Sequence, residues 1–212
     1  MLEGERQQLV DQARRLRPDG LVVGASGNLS MRCGELVAVT PSAVDYDALE
    51  PDLICVVELD GSPVEGALGP TTELPMHLAV YQRTSAAAVV HTHSPYATVL
   101  ATVMDVLPPI HYLIATLGGP VRVAPYATPG TEELADTIVG ALGGRSGVLL
   151  QNHGALTTGE SLEEAYSRSV TLEWLCALHY RATLFGEPRV LSDEELNGVA
   201  PLMETYGRSL RR

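Results

Sequence analysis

A polar amphipathic segment from about Glu3 to Arg17 predicts a first helix, stopped by Pro18-Asp19-Gly20. Short β-type runs follow at Asn28–Arg32, Glu35–Thr40 and Leu53–Val57, separated by the turn residues Cys33-Gly34 and Asp60-Gly61. The pattern then predicts a helix over about Thr72 to Arg83, a buried strand in the apolar run Ala86–His91, and a short helix after Ser94-Pro95. Leu107 to Pro120 is rich in Pro and Gly and reads as irregular. Val121–Ala124 predicts a strand, Thr131–Leu142 a helix and Gly147–Gln151 another buried strand. Two capping boxes, Ser161-Leu-Glu-Glu164 and Ser192-Asp-Glu-Glu195, open the last helices, the first of them running to about Phe185. There is no internal repeat, low-complexity tract or linker, so residues 1–212 are expected to form one α/β domain. The many short strands joined by hairpin-length turns make an antiparallel sheet the expectation for much of it.

Composition narrows the chemistry. The 212 residues are 45% hydrophobic and 19% charged, a globular balance, and the formal charge of −12 argues against partners whose affinity rests on neutralising phosphates, such as nucleic acid or an anionic membrane. All 14 basic residues are Arg. With no Lys, a Schiff-base enzyme, a Lys-anchored pyridoxal-phosphate enzyme and a P-loop NTPase are excluded, and carbonyl chemistry requires a metal or another electrophile. Cys33, Cys55 and Cys176 are widely spaced with no CxxC pair, as expected of free thiols in a reducing compartment. The charged N-terminus carries no apolar h-region and no stretch has the length to cross a bilayer, so the expected location is the cytoplasm.

Among six histidines, His91 and His93 end the apolar run Ala87-Ala-Val-Val-His-Thr-His. Strand alternation puts both rings on one face with roots about 7 Å apart, close enough to share a divalent metal at about 2.0–2.1 Å. His153 ends a second buried strand, Gly147-Val-Leu-Leu-Gln-Asn. Three neutral His leave a metal its full charge and an open position for a substrate oxygen. His77 and His179 lie inside helices, where packing or surface roles are expected, and His111 is undecided. In Gly69-Pro-Thr-Thr-Glu-Leu-Pro-Met-His77, Thr71 and Thr72 stand at a helix start, where N–H groups and two hydroxyls suit an anion, with Glu73 beside them; an ordinary Thr cap reads equally well. Gly24-Ala-Ser-Gly-Asn-Leu-Ser30 is a tight turn of small residues that a phosphate can approach closely.

In order along the chain, Gly-Asn-Leu-Ser (27–30), Thr-Pro-Ser (40–42), Thr-Thr-Glu (71–73), His-Thr-His (91–93), Ile-His-Tyr (110–112), Pro-Tyr-Ala-Thr (125–128), Leu-Leu-Gln-Asn-His-Gly (149–154) and the C-terminal Val-Leu-Ser-Asp-Glu-Glu and Thr-Tyr-Gly resemble the class II, zinc-dependent aldolase/epimerase family, and within it the L-fuculose-1-phosphate aldolases. The resemblance implies a three-layer α/β/α fold with a mostly antiparallel central sheet, assembled as a homotetramer with active sites between subunits. It implies His91, His93 and His153 as ligands of Zn²⁺, for which Mn²⁺ or Co²⁺ can substitute, and Glu73 as acid/base and resting-state ligand. It further implies Gly27, Asn28, Ser42, Ala43, Thr71 and Thr72 as the phosphate site, Tyr112 as a proton donor from a neighbouring subunit, and Tyr206 near the substrate.

The implied reaction is reversible cleavage of a ketose 1-phosphate into dihydroxyacetone phosphate and a small aldehyde such as lactaldehyde. The missing Lys agrees with metal stabilisation of the enediolate. The chain departs from the family at Ala25 and Ala43 in the phosphate turns, and at Pro129 and Met203 where fuculose-phosphate aldolases carry phenylalanines. Alternatives on the same scaffold are a methylthioribulose-1-phosphate dehydratase and a ribulose-phosphate 4-epimerase; from another class, a non-catalytic protein with a structural zinc.

Overall fold

A computed structural model describes residues 1–206, and their side chains as far as residue 201 with Ala200 excepted. Nine strands form one sheet: β1 (Asn28–Cys33), β2 (Leu36–Val39), β3 (Cys55–Glu58), β4 (Pro63–Glu65), β5 (Ala88–Thr92), β6 (Val106–Leu107), β7 (Val121–Ala124), β8 (Gly147–Leu150) and β9 (Gly154–Gly159). Their spatial order is β4-β3-β2-β1-β5-β9-β8-β7-β6. Every pairing among the described residues is antiparallel except β7 with β8. Among the described residues six α-helices cover it: α1 (Glu3–Leu16), α2 (Leu74–Arg83), α3 (Pro95–Ala101), α4 (Glu132–Leu142), α5 (Leu162–Thr183) and α6 (Asp193–Tyr206).

Strand alternation sorts the buried side chains onto two faces. Val37, Val39, Val57, Val89, Val148, Leu150 and Leu156 pack against Met76, Val80 and Tyr81 of α2 and Leu134 and Ile138 of α4. On the opposite face Leu29, Ala38, Ala88 and Val90 meet Leu9, Val10, Ala13 and Leu16 of α1 and Leu162 and Tyr166 of α5. Farther along that face, Leu149 and Ala155 meet Ala97 and Leu100 of α3 and Leu172, Leu175 and Cys176 of α5. The result is the expected three-layer α/β/α arrangement.

Two expectations are corrected, and one strand was not expected. Residues 107–120 are less irregular than their Pro and Gly content suggests, because β6 precedes them and Tyr112–Leu117 forms a 3-10 helix closed by Gly118 at φ +85°. The helix expected from Thr72 starts at Leu74, with Pro75 in its first turn, where a missing N–H costs no hydrogen bond. Strand β9 was not signalled by its own residues; it exists because Gly154–Gly159 is clasped between β5 and β8. Both serines cap their helices, but only the second capping box closes reciprocally, the Ser192 N–H donating to Glu195 Oε2. Ser161 Oγ accepts from the Glu164 N–H and Ser192 Oγ from the Glu195 N–H, but Glu164 returns its carboxylate to the N–H of Glu160 rather than to that of Ser161. No helix among the described residues is long and apolar enough to cross a membrane.

Candidate active site

The face that carries Val89 also carries His91 and, beyond the strand end, His93. The antiparallel register sets His91 opposite Asn28 on one side and Leu156 on the other. His153 reaches the same point from the β8–β9 turn. There Asn152 adopts φ +56°, which Asn tolerates, and Gly154 passes so close to the Thr92 carbonyl oxygen that a Cβ would collide with it. Glu73 arrives from the residue before α2. The three imidazoles stand as a propeller, every pair of ring centroids 4.8 Å apart and the planes 71–89° to one another. Nitrogen and carboxylate donors from Glu73, His91, His93 and His153 lie within 4.8 Å of one another.

The hydrogen bonds around this cluster orient its donors. His91 Nδ1–H donates to the Ala155 carbonyl at 2.9 Å, which turns Nε2 into the cluster, 2.9 Å from His93 Nε2 and 3.1 Å from Glu73 Oε2. Glu73 Oε1 is 3.1 Å from His153 Nε2, yet has no hydrogen-bond partner although it is buried. Burial, reinforced by the neighbouring His91 and His153 rings, pushes His93 down to about 4, so it is neutral at pH 7. Burial alone would raise Glu73; the His91 and His153 rings and the Asn28 amide outweigh it and hold the carboxyl well below the usual carboxylate range. Three ring nitrogens turned to one point, an ionised carboxylate and a buried oxygen lacking a hydrogen bond fit a divalent cation of the zinc type.

Next to this cluster is a cavity of about 170 Å³ lined by Ala25, Ser26, Gly27, Asn28, Pro41, Ser42, Ala43, Thr71, Thr72, Glu73 and His93. It brings together all six residues expected to hold phosphate, and none of the described residues lining it is basic. Backbone N–H groups at the helix start are less available than expected: Thr71 N–H donates to Thr40 O, Ser42 N–H to Gly69 O and Glu73 N–H to Thr71 Oγ1. Ser42 and Thr72 are exposed, so their hydroxyls face solvent on this rim. Gly27, at φ +89°, has no room for a side chain, because a Cβ would stand 2.7 Å from His91 O. The Asn28 amide is engaged at both ends, donating to Glu73 Oε2 at 2.9 Å and accepting at Oδ1 from His77 Nε2 at 2.6 Å.

Tyr112 is 44% exposed, with its ring stacked on His111, and does not line this cavity in its own chain. Tyr206 ends α6 and its side chain lies outside the described residues, as does that of Met203. Two residues escaped the sequence reading. Tyr46 is 3% exposed and its hydroxyl donates to the carbonyl oxygens of Gly27 and Ser26 at 2.7 and 3.0 Å, holding the small-residue turn in place. His77, expected to serve packing or the surface, is wholly buried and hydrogen bonded at both ring nitrogens. The only available signal was its spacing of four from Glu73.

Residues 7–180 match the family described as Class II Aldolase and Adducin N-terminal domain. The chain is 37% identical over 211 residues to the 5-deoxy-D-ribulose 1-phosphate aldolase of Bacillus thuringiensis serovar kurstaki, covering 98% of this chain and 99% of that one. It is 36% identical over 204 residues to the L-fuculose phosphate aldolase of Escherichia coli K12, covering 95% and 94%. A solved L-fuculose 1-phosphate aldolase superposes with a TM-score of 0.92 at 40% identity, over 95% of this chain and 96% of that one.

Proposed function

We propose that this chain, which belongs to the class II aldolase family, reversibly cleaves a deoxy-ketose 1-phosphate to dihydroxyacetone phosphate and a small aldehyde such as lactaldehyde. L-fuculose 1-phosphate and 5-deoxyribulose 1-phosphate are the two substrates that its relatives' names suggest. The observation that carries the reading is the juxtaposition of a four-donor N/O cluster with a hydroxyl-rimmed cavity, sharing Glu73 and His93. In a chain with no Lys, that pairing answers both needs of the reaction, a grip on phosphate and an electrophile for the carbonyl.

His91, His93 and His153 would hold Zn²⁺, with Mn²⁺ or Co²⁺ as substitutes and Glu73 as a fourth ligand in the resting state. When bound, the metal polarises the ketose carbonyl and offsets the charge of the enediolate. The protein supplies the rest. Ser42 and Thr72 offer hydroxyls to the phosphate, alongside Gly27, Ala43, Thr71 and the backbone of Asn28. Glu73, ionised, carries the proton that the dihydroxyacetone phosphate carbon gains after cleavage. Tyr112 protonates or deprotonates the aldehyde oxygen from a neighbouring subunit. Its exposure and its absence from the cavity of its own chain support that placement, and with it an assembly, taken as a homotetramer, in which sites lie between subunits. Tyr206 completes the substrate end.

The test is release of dihydroxyacetone phosphate from each of the two sugar phosphates by purified protein, after chelation and again after Zn²⁺ is returned. Release that disappears and recovers is the expected result. Folded, zinc-loaded protein that releases none from either compound would overturn the substrate assignment.

A further inference from the structure

Behind Glu73, a row of polar side chains runs between α2 and β1 into the interior. Asn28 Nδ2 donates to Glu73 Oε2 at 2.9 Å, and Asn28 Oδ1 is 2.6 Å from His77 Nε2. On the far side of the ring, His77 Nδ1 is 2.6 Å from Ser30 Oγ, which is 2.6 Å from the Tyr81 hydroxyl. Asn28 is 4% exposed, Tyr81 1%, and Ser30 and His77 are fully buried. The row exists because two periodicities mesh: residues 73, 77 and 81 share one face of a helix at spacing four, and 28 and 30 share one face of a strand at spacing two.

Hydrogen-bond chemistry allows this row only one direction. A carboxylate accepts and cannot donate, so Asn28 turns its NH₂ to Glu73 and its oxygen to His77. That oxygen only accepts, so His77 carries its proton on Nε2. The ring is neutral, since complete burial and then the nearby His91 push it down to about 3. Nδ1 therefore accepts from the Ser30 O–H, and Ser30 Oγ accepts from the Tyr81 O–H. Reversing any one member leaves two acceptors face to face in the interior.

We propose that His77 is a positioning residue for Glu73: by fixing the Asn28 amide it holds Oε2, and with it the whole carboxylate, in the orientation from which it exchanges a proton with substrate. The inference rests on the aldolase reading. In the condensation direction, the C–H bond at the hydroxymethyl carbon of dihydroxyacetone phosphate breaks. Its proton goes to the Glu73 carboxylate and its electron pair enters the enediolate; cleavage returns that proton to the same carbon.

The experiment uses the zinc-loaded full-length protein and compares wild type with Glu73→Gln, His77→Leu, His77→Gln and Ser30→Ala. Four quantities are read: deuterium exchange into dihydroxyacetone phosphate, kcat and KM for cleavage, bound zinc, and Tm. His77→Leu is expected to lower exchange and kcat together by about 10- to 100-fold, with KM and zinc content unchanged. His77→Gln, whose amide can donate to Asn28 and accept from Ser30, is expected to recover most of the loss. Ser30→Ala, which frees Nδ1 to take the proton and so unlocks the amide, is expected to lie between wild type and His77→Leu, and it decides the matter if His77→Leu does not fold. Wild-type exchange in a folded His77→Leu or, failing that, in Ser30→Ala overturns the proposal, as does a His77→Gln variant no better than Leu. A wild-type protein that exchanges no faster than Glu73→Gln would take down the aldolase reading, and this inference with it.

Discussion

In the proposed reaction Glu73 carries the proton, and its surroundings set how its carboxylate is held. Glu73→Gln keeps the size and one acceptor oxygen but loses the ionised form. Zinc content, read by atomic absorption, is expected to persist on the three histidines while kcat falls by about 10²- to 10⁴-fold. Ala43 presents a smaller question. It sits at φ +58°, a left-handed conformation that disfavours a Cβ, in the turn lining the cavity. Ala43→Gly is expected to raise stability by up to about 1 kcal/mol, visible as a higher Tm, with zinc content unchanged. His77 adds a pH dependence. Its ring falls from an ordinary 6.5 to about 3 in the folded protein, so between those values the unfolded chain binds the extra proton. Stability from this group is present above about pH 6.5 and drains as pH falls towards 3. In urea titrations, His77→Gln is expected to flatten that part of the acid limb. The donor cluster was legible at this scale because His-x-His and His153 each end an apolar strand run, so the fold brings them to one point. His77 and Tyr46 were illegible because their value lies in partners 49 and 19 residues away.

At the scale of elements, what could be read depended on where an element's stability originates. Both capping boxes are local, and the helices they predicted start where expected. Ser161→Ala is expected to cost about 1 kcal/mol by removing the acceptor for the Glu164 N–H, as measured by chemical denaturation. Strand β9 shows the opposite. Gly154-Ala-Leu-Thr-Thr-Gly has glycine at both ends and little β-branched bulk, so local propensity was weak; its order comes from β5 and β8, each paired with it over several residues. The 3-10 helix at Tyr112–Leu117 likewise depends on packing, with Ile114 and Leu117 buried against α3 and α5. The same dependence delivers His153, whose position is set by the turn between two strands rather than by its own neighbours. His153→Ala and His91→Ala are each expected to lose zinc and activity together; a variant that keeps both would remove that residue from the metal centre.

For the molecule as a whole, apolar packing on both faces of the sheet holds the fold, with α2 and α4 on one side and α1, α3 and α5 on the other. A chelator is therefore expected to abolish turnover while the far-ultraviolet circular dichroism of the protein stays largely as it was, whereas a structural zinc would take the fold with it. The strand that carries His91 stands fifth in a sheet of nine, with four neighbours on either side and all five of its residues buried. Fraying starts at the rims, at exposed β4 and two-residue β6, and must consume several pairings before it reaches this strand. Measured by hydrogen–deuterium exchange, the amides of Val89 to Thr92 are expected to be among the last to exchange, opening only when the whole protein unfolds. On the proposed reading, an ion held here is lost and regained without the frame that carries its ligands coming apart.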